Sequence, residues 1–65
     1  MDYIALITRG SDNVDTTTIS ANSDDEAFRA AKGWAAALGL APDDDVVLRI
    51  KLPGDTFKAF LREDF

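Results

Sequence analysis

The chain contains no cysteine and no histidine, and only two prolines. Without thiols a disulfide framework is excluded, and without either residue type the usual zinc sites are excluded as well. The same absences remove the commonest groups of nucleophilic and general-base catalysis, leaving a carboxylate or a lysine as the available proton acceptor. No apolar run approaches the roughly 20 residues that a membrane-spanning helix needs. Met1-Asp2-Tyr3 sets no basic region ahead of an apolar stretch, so no signal peptide is expected. There is no glycine-rich phosphate cradle, because the four glycines are scattered. Asp12-Asn13-Val14-Asp15 lacks the alternating ligands, central glycine and terminal glutamate of a calcium loop. No catalytic residue, metal site or cofactor is assigned, and no enzyme activity is expected.

What remains is short and acidic. Sixty-five residues make a single domain, 1–65. A chain of that size buries only about 60% of its unfolded surface, so modest stability is expected. Twelve acidic residues against seven basic ones give a net charge of −5. That balance favours solubility, opposes direct binding to nucleic acid, and suits a basic partner; no membrane partner is expected.

Met1–Thr8 reads as an apolar strand ended by the turn formers Arg9-Gly10-Ser11-Asp12-Asn13. Val14–Ala21 follows as a second strand, with Thr16, Thr17, Thr18 and Ile19 supplying β-branched residues. Ser23-Asp24-Asp25-Glu26 is a capping box, and its acids complement the positive end of the helix dipole. Steps of 100° then gather Ala27, Phe28, Ala31, Trp34, Ala35 and Leu38 on one side of a helix over about Asp24–Leu38. Gly39 is placed to terminate it, and Pro42 forbids its continuation. In Val46–Leu52, Val46, Leu48, Ile50 and Leu52 alternate with Val47, Arg49 and Lys51. Pro53-Gly54-Asp55 is a turn and Thr56–Arg62 a last strand, in which Phe57, Ala59 and Leu61 are the expected buried set. The predicted core is Phe28, Trp34, Leu38, Leu48, Ile50 and Phe57. The fold class is α+β: a ββαββ chain with one helix packed across four strands.

Two antiparallel hairpins joined by a right-handed helical crossover set the charges in space. The first turn, the loop after the helix and the end of the last strand must share one end of the sheet, whatever the strand order. That end collects Asp12, Asp15, Asp43, Asp44, Asp45, Glu63 and Asp64, offset by Arg9 and Arg62. Across the roughly 15 Å spanned by four strands this leaves about one net charge per 3 Å. Duplex DNA carries about one per 1.7 Å, so the pole is the primary candidate surface for a basic, nucleic-acid-binding partner. A secondary candidate is the open sheet face with Val47, Arg49, Lys58 and Phe60, where an apolar patch rimmed by charge would suit a protein contact. Either Ile4 and Leu6 or Tyr3 and Ile7 must join that face.

The order hairpin, helix, hairpin resembles the β-grasp arrangement of ubiquitin-like domains and of the small immunoglobulin-binding domains of protein G. Met1-Asp2-Tyr3, Thr16-Thr17-Thr18 and Phe28 one turn into the helix carry the second likeness, over about half the chain. It implies a sheet order of 2-1-4-3, with 2-1-3-4 as the alternative, and does not imply antibody binding. Taken whole, the size, acidity and organisation of the chain resemble the small anti-CRISPR proteins of phages and mobile elements, including those acting on type I-C complexes. That resemblance implies a monomeric, non-catalytic inhibitor in the cytoplasm of a bacterial host. Its acidic residues would occupy a DNA-binding surface on a Cas subunit of a type I surveillance complex and block target DNA. Met1-Asp2-Tyr3-Ile4-Ala5-Leu6-Ile7, with Asp25-Glu26-Ala27 and Ala30-Ala31-Lys32, also looks like HicB-type antitoxins, which neutralise a basic toxin RNase. The third possibility is a structural module that self-associates through the open face.

Overall fold

The computed structural model describes every residue, Met1–Phe65. Strands β1 (Asp2–Arg9) and β2 (Asp12–Ser20) form the first hairpin. Helix α1 (Asp24–Ala37) follows, then β3 (Val47–Leu52), β4 (Thr56–Leu61) and a terminal 3-10 turn, η1 (Arg62–Asp64). The elements meet the expected boundaries within two residues or so, and Arg62 belongs to the turn rather than the strand.

Local chemistry accounts for the helix ends. The Ser23 Oγ accepts the Glu26 amide at 3.2 Å, the first half of the capping box. At the other end Gly39 takes a left-handed φ of 70°, which costs a residue without Cβ nothing. The second hairpin turns through Gly54 and Asp55, both at positive φ.

The sheet is antiparallel throughout, in the order β2-β1-β3-β4. The β-grasp order, with the first and last strands paired in parallel, is therefore not adopted. β3 takes the central place, pairing Ile4–Thr8 with Val47–Lys51. Its side chains suit that place, since Leu48 and Ile50 are fully buried on one face. Every residue of β4 except Phe60 is exposed, and Lys58 lies along it, as an edge strand requires.

The core is thin. Tyr3, Ala5 and Ile7 of β1, Ile19 of β2, and Val46, Leu48 and Ile50 around β3 face Ala27, Ala31 and Ala35 of the helix. Three alanines at four-residue spacing let the helix lie close to the sheet, with the large residues displaced to its flanks. This corrects the predicted core. Leu48 and Ile50 are in it, whereas Phe28 and Trp34 pack only partly against it. Leu38, at the C-cap, is 37% exposed, and Phe57 is 55% exposed on the opposite face of the sheet.

Strand parity explains Phe57. The turn leaves three residues between the paired Leu52 and Thr56, so even-numbered residues of β3 and β4 share a face. Leu48 pairs with Phe60 and Ile50 with Lys58 on the helix side, while Val47, Arg49 and Lys51 pair with Leu61, Ala59 and Phe57 on the open side. The buried set expected for β4 is thus inverted.

Candidate functional site: an acidic pole

Three segments that are remote in sequence meet at one end of the sheet: the β1–β2 turn, the loop from Leu40 to Val46, and η1. Two guanidinium groups join them. Arg9, at the end of β1, clasps Asp44 with Nε to Oδ1 at 2.9 Å and Nη2 to Oδ2 at 2.6 Å. This planar two-point contact is the strong form of a carboxylate pair. Arg62 donates to the carbonyl oxygens of Leu40 at 3.0 Å, Ala41 at 3.1 Å and Phe65 at 2.8 Å. Its guanidinium also stands 5.1 Å from the Phe65 ring centre. Each arginine thus ties one segment of the pole to another, Arg9 through the Asp44 carboxylate and Arg62 through backbone carbonyls.

The seven acids do not play equal parts. Asp12, Asp43, Asp45, Glu63 and Asp64 are exposed. Asp15 is exposed too, on β2 beside Ile7, and accepts the Thr16 amide at 2.8 Å. Asp44 differs: its side chain is 18% exposed and its charge is matched by Arg9. The Arg9 hydrogen bond holds the Asp44 carboxyl below the usual carboxylate range, opposed by partial burial and aided by the charges of Arg9 and Arg62. Reciprocally, the Asp44 carboxylate makes Arg9 hold its own proton more firmly. Asp44 is therefore a structural residue of the pole rather than a free charge on it, contrary to its expected place among the acids of the docking surface.

A shallow cleft of about 500 Å³ runs between Pro42–Val46 and Leu61–Glu63, so Asp43, Asp45 and Glu63 flank one depression. No group of three or more acidic side chains converges as a metal site requires. No helix is long and apolar enough to cross a membrane.

The secondary candidate face does not exist as a unit. Val47 and Arg49 lie on the open side of the sheet, while Lys58 and Phe60 lie on the helix side, for the parity reason given above. The open side instead carries Ile4, Leu6, Val47, Phe57, Ala59 and Leu61, with Tyr3 and Ile7 turned into the core. Counting residues across Pro53-Gly54-Asp55 from the inward Leu52 would have found this from sequence. The role of Asp44 had no comparable signal, because Arg9 is thirty-five positions away.

No known protein family, curated protein or solved structure matches the chain.

Proposed function

We propose that this domain is a non-catalytic inhibitor that presents its acidic pole to a basic, nucleic-acid-binding protein and excludes nucleic acid from it. The observation that carries the reading is the division of labour among the charges at the pole. Arg9 and Arg62 are spent on holding three loops together, and Asp12, Asp43, Asp45, Glu63 and Asp64 are left outward on a fixed frame. A pre-positioned array loses less freedom on docking than the same charges on mobile loops. The likeness to anti-CRISPR proteins makes a type I surveillance complex, type I-C first, the partner to test.

The experiment combines Asp43→Asn, Asp45→Asn and Glu63→Gln, leaving Asp44 intact because it is part of the scaffold. The combined variant should fold like the parent, inhibit target DNA binding by the surveillance complex less well, and show a flatter dependence on salt. Full inhibition by the variant would remove the pole as the site. A basic toxin RNase, the antitoxin partner, is tested with the same variant in a ribonuclease assay.

A self-associating module is the second reading, favoured by Phe57 and Leu61, each 55% exposed on the open side, and by Ile4, 40% exposed on the same side. Sedimentation across a range of concentrations separates it, since it alone requires an oligomer.

A further inference from the structure

Four of the seven basic residues have neither a carboxylate nor a backbone carbonyl as partner, and three of those four meet in one place. Arg9 and Lys51 form the two ion pairs, and Arg62 is taken up by backbone carbonyls. Of the others, Arg29, Lys32 and Lys58 line a single groove with Phe28, Phe60 and Asp25. Asp25, the one acid there, makes no ion pair. The groove holds about 470 Å³ and lies between the flank of α1 and the helix-facing side of β4. It exists because α1 packs over β1, β2 and β3, and reaches β4 chiefly through Phe28 and Lys32 on Phe60.

Two ammonium groups converge on one ring: Lys32 Nζ is 4.3 Å and Lys58 Nζ 5.6 Å from the centre of Phe60. The Phe28 ring meets Phe60 edge-on at 5.5 Å. Each cation–π contact is favourable, yet two like charges beside one ring repel, in a chain with twelve acids from which a counter-charge could have been drawn. β4 is also an edge strand, with no strand partner on its outer side. An aromatic floor, basic walls and a free strand edge together match an extended acidic peptide added alongside β4.

We propose that this groove binds such a peptide, as a site separate from the acidic pole and of opposite charge. The register specifies the occupant. Lys58 and Phe60 are two residues apart on the groove side of β4, so the facing strand offers an acidic residue opposite Lys58 and an aromatic or aliphatic one opposite Phe60. Alternate side chains of the peptide point away and are unconstrained.

The test is a titration of the isotope-labelled protein with the synthetic peptide Thr-Glu-Thr-Phe-Thr-Glu, followed through backbone amide shifts. Shifts should concentrate in Thr56–Leu61 and around Phe28–Lys32, grow at low salt, and vanish for the same peptide with lysine in place of glutamate. The variant K32E/K58E changes charge at one exposed and one half-buried site while keeping Phe60, and should weaken binding by about tenfold or more. Unchanged affinity in that variant overturns the proposal, as do shifts confined to the open sheet face. Shifts reproduced by inorganic phosphate alone would mean an anion site without peptide recognition and overturn it equally. Shifts that appear on raising protein concentration without peptide would name a second copy as the occupant, and likewise overturn it.

Discussion

The hydroxyl of Tyr3, on the first strand, donates to Oδ1 of Asp24 at 2.7 Å, in the first turn of the helix. The ring itself is buried to 1% exposure, so a core residue delivers its one polar atom to a helix terminus twenty-one positions away. The bond fixes where the helix begins relative to the sheet, in concert with the Ser23 cap.

This contact sets the alkaline behaviour of the protein. The Asp24 hydrogen bond, burial, and the charges of Asp24 and Glu26 all raise the Tyr3 pKa. A raised value means that the protonated form is favoured by folding. The contribution is therefore complete below the unfolded tyrosine value of about 10 and is lost as pH climbs through the folded one. Tyr3 is the only tyrosine, so tyrosinate absorbance reports this site alone. The titration should lie above that of a free tyrosine, and Asp24→Asn should lower it. Identical curves for parent and variant would show that the bond is not made in solution.

Acid should act on the Arg9–Asp44 clasp. Asp44 titrates lower in the folded chain, so its contribution is present above the unfolded carboxylate value of about 3.9 and disappears as pH falls through the folded one. Asp44→Asn is expected to lower the denaturation midpoint near neutrality, with the gap to the parent closing in acid. Because Arg9 is half exposed, the gap should be modest and shrink with salt. Denaturant curves over a pH series measure it, and a constant gap across the series would count against the assignment.

Gly33 sits mid-helix on the solvent side, where an added Cβ would meet nothing within 4 Å. Gly33→Ala should therefore stabilise the domain by about 0.5–1 kcal/mol, through helix propensity alone. Thermal melting of the two proteins decides this, and a lower midpoint for the variant would contradict an open position.

The two faces of the sheet should differ sharply in their tolerance of truncation. Leu48→Ala removes a fully buried side chain and should cost about 2–5 kcal/mol, a large share of what a small domain possesses. Phe57→Ala should cost under about 1 kcal/mol despite the greater volume removed, because the ring is mostly in water. Chemical denaturation of both variants is the check. A larger loss at Phe57 would place that ring against something.

Much of the architecture was legible because it rests on local chemistry. Ser23 and Gly39 bracket the helix by capping rules, and the alternation of Leu48 and Ile50 with Arg49 and Lys51 announces β3. The meeting of Arg9, Asp44 and Arg62 at one pole followed from connectivity alone. Strand order was harder, since pairing β1 with β3 or with β4 leaves every local signal unchanged. The faces of β4 misled because Phe57, Ala59, Phe60 and Leu61 are all apolar, so hydrophobicity could not choose between them. The helix misled in the other direction. Ala27, Ala31 and Ala35 share the inward side with Phe28 and Trp34, and side-chain size favours the aromatics as core, although close approach makes the small residues the true contact.

A single non-local ladder, β1 with β3, joins the two hairpins of this chain. Both hairpins can close over short loops, whereas that ladder must wait for a loop containing the whole helix to close, an entropic cost met late in folding. At the sheet's edge β4 pairs only with β3 and is little touched by the helix, so it is the strand freest to open locally. Arg9 on Asp44 stitches the end of the β1–β3 seam, and Arg62 on Leu40 and Ala41 ties the end of β4 to the loop after the helix. A ligand that gripped the pole would tighten both contacts, and amide exchange in β4 would slow as far as Thr56, at the end remote from the pole.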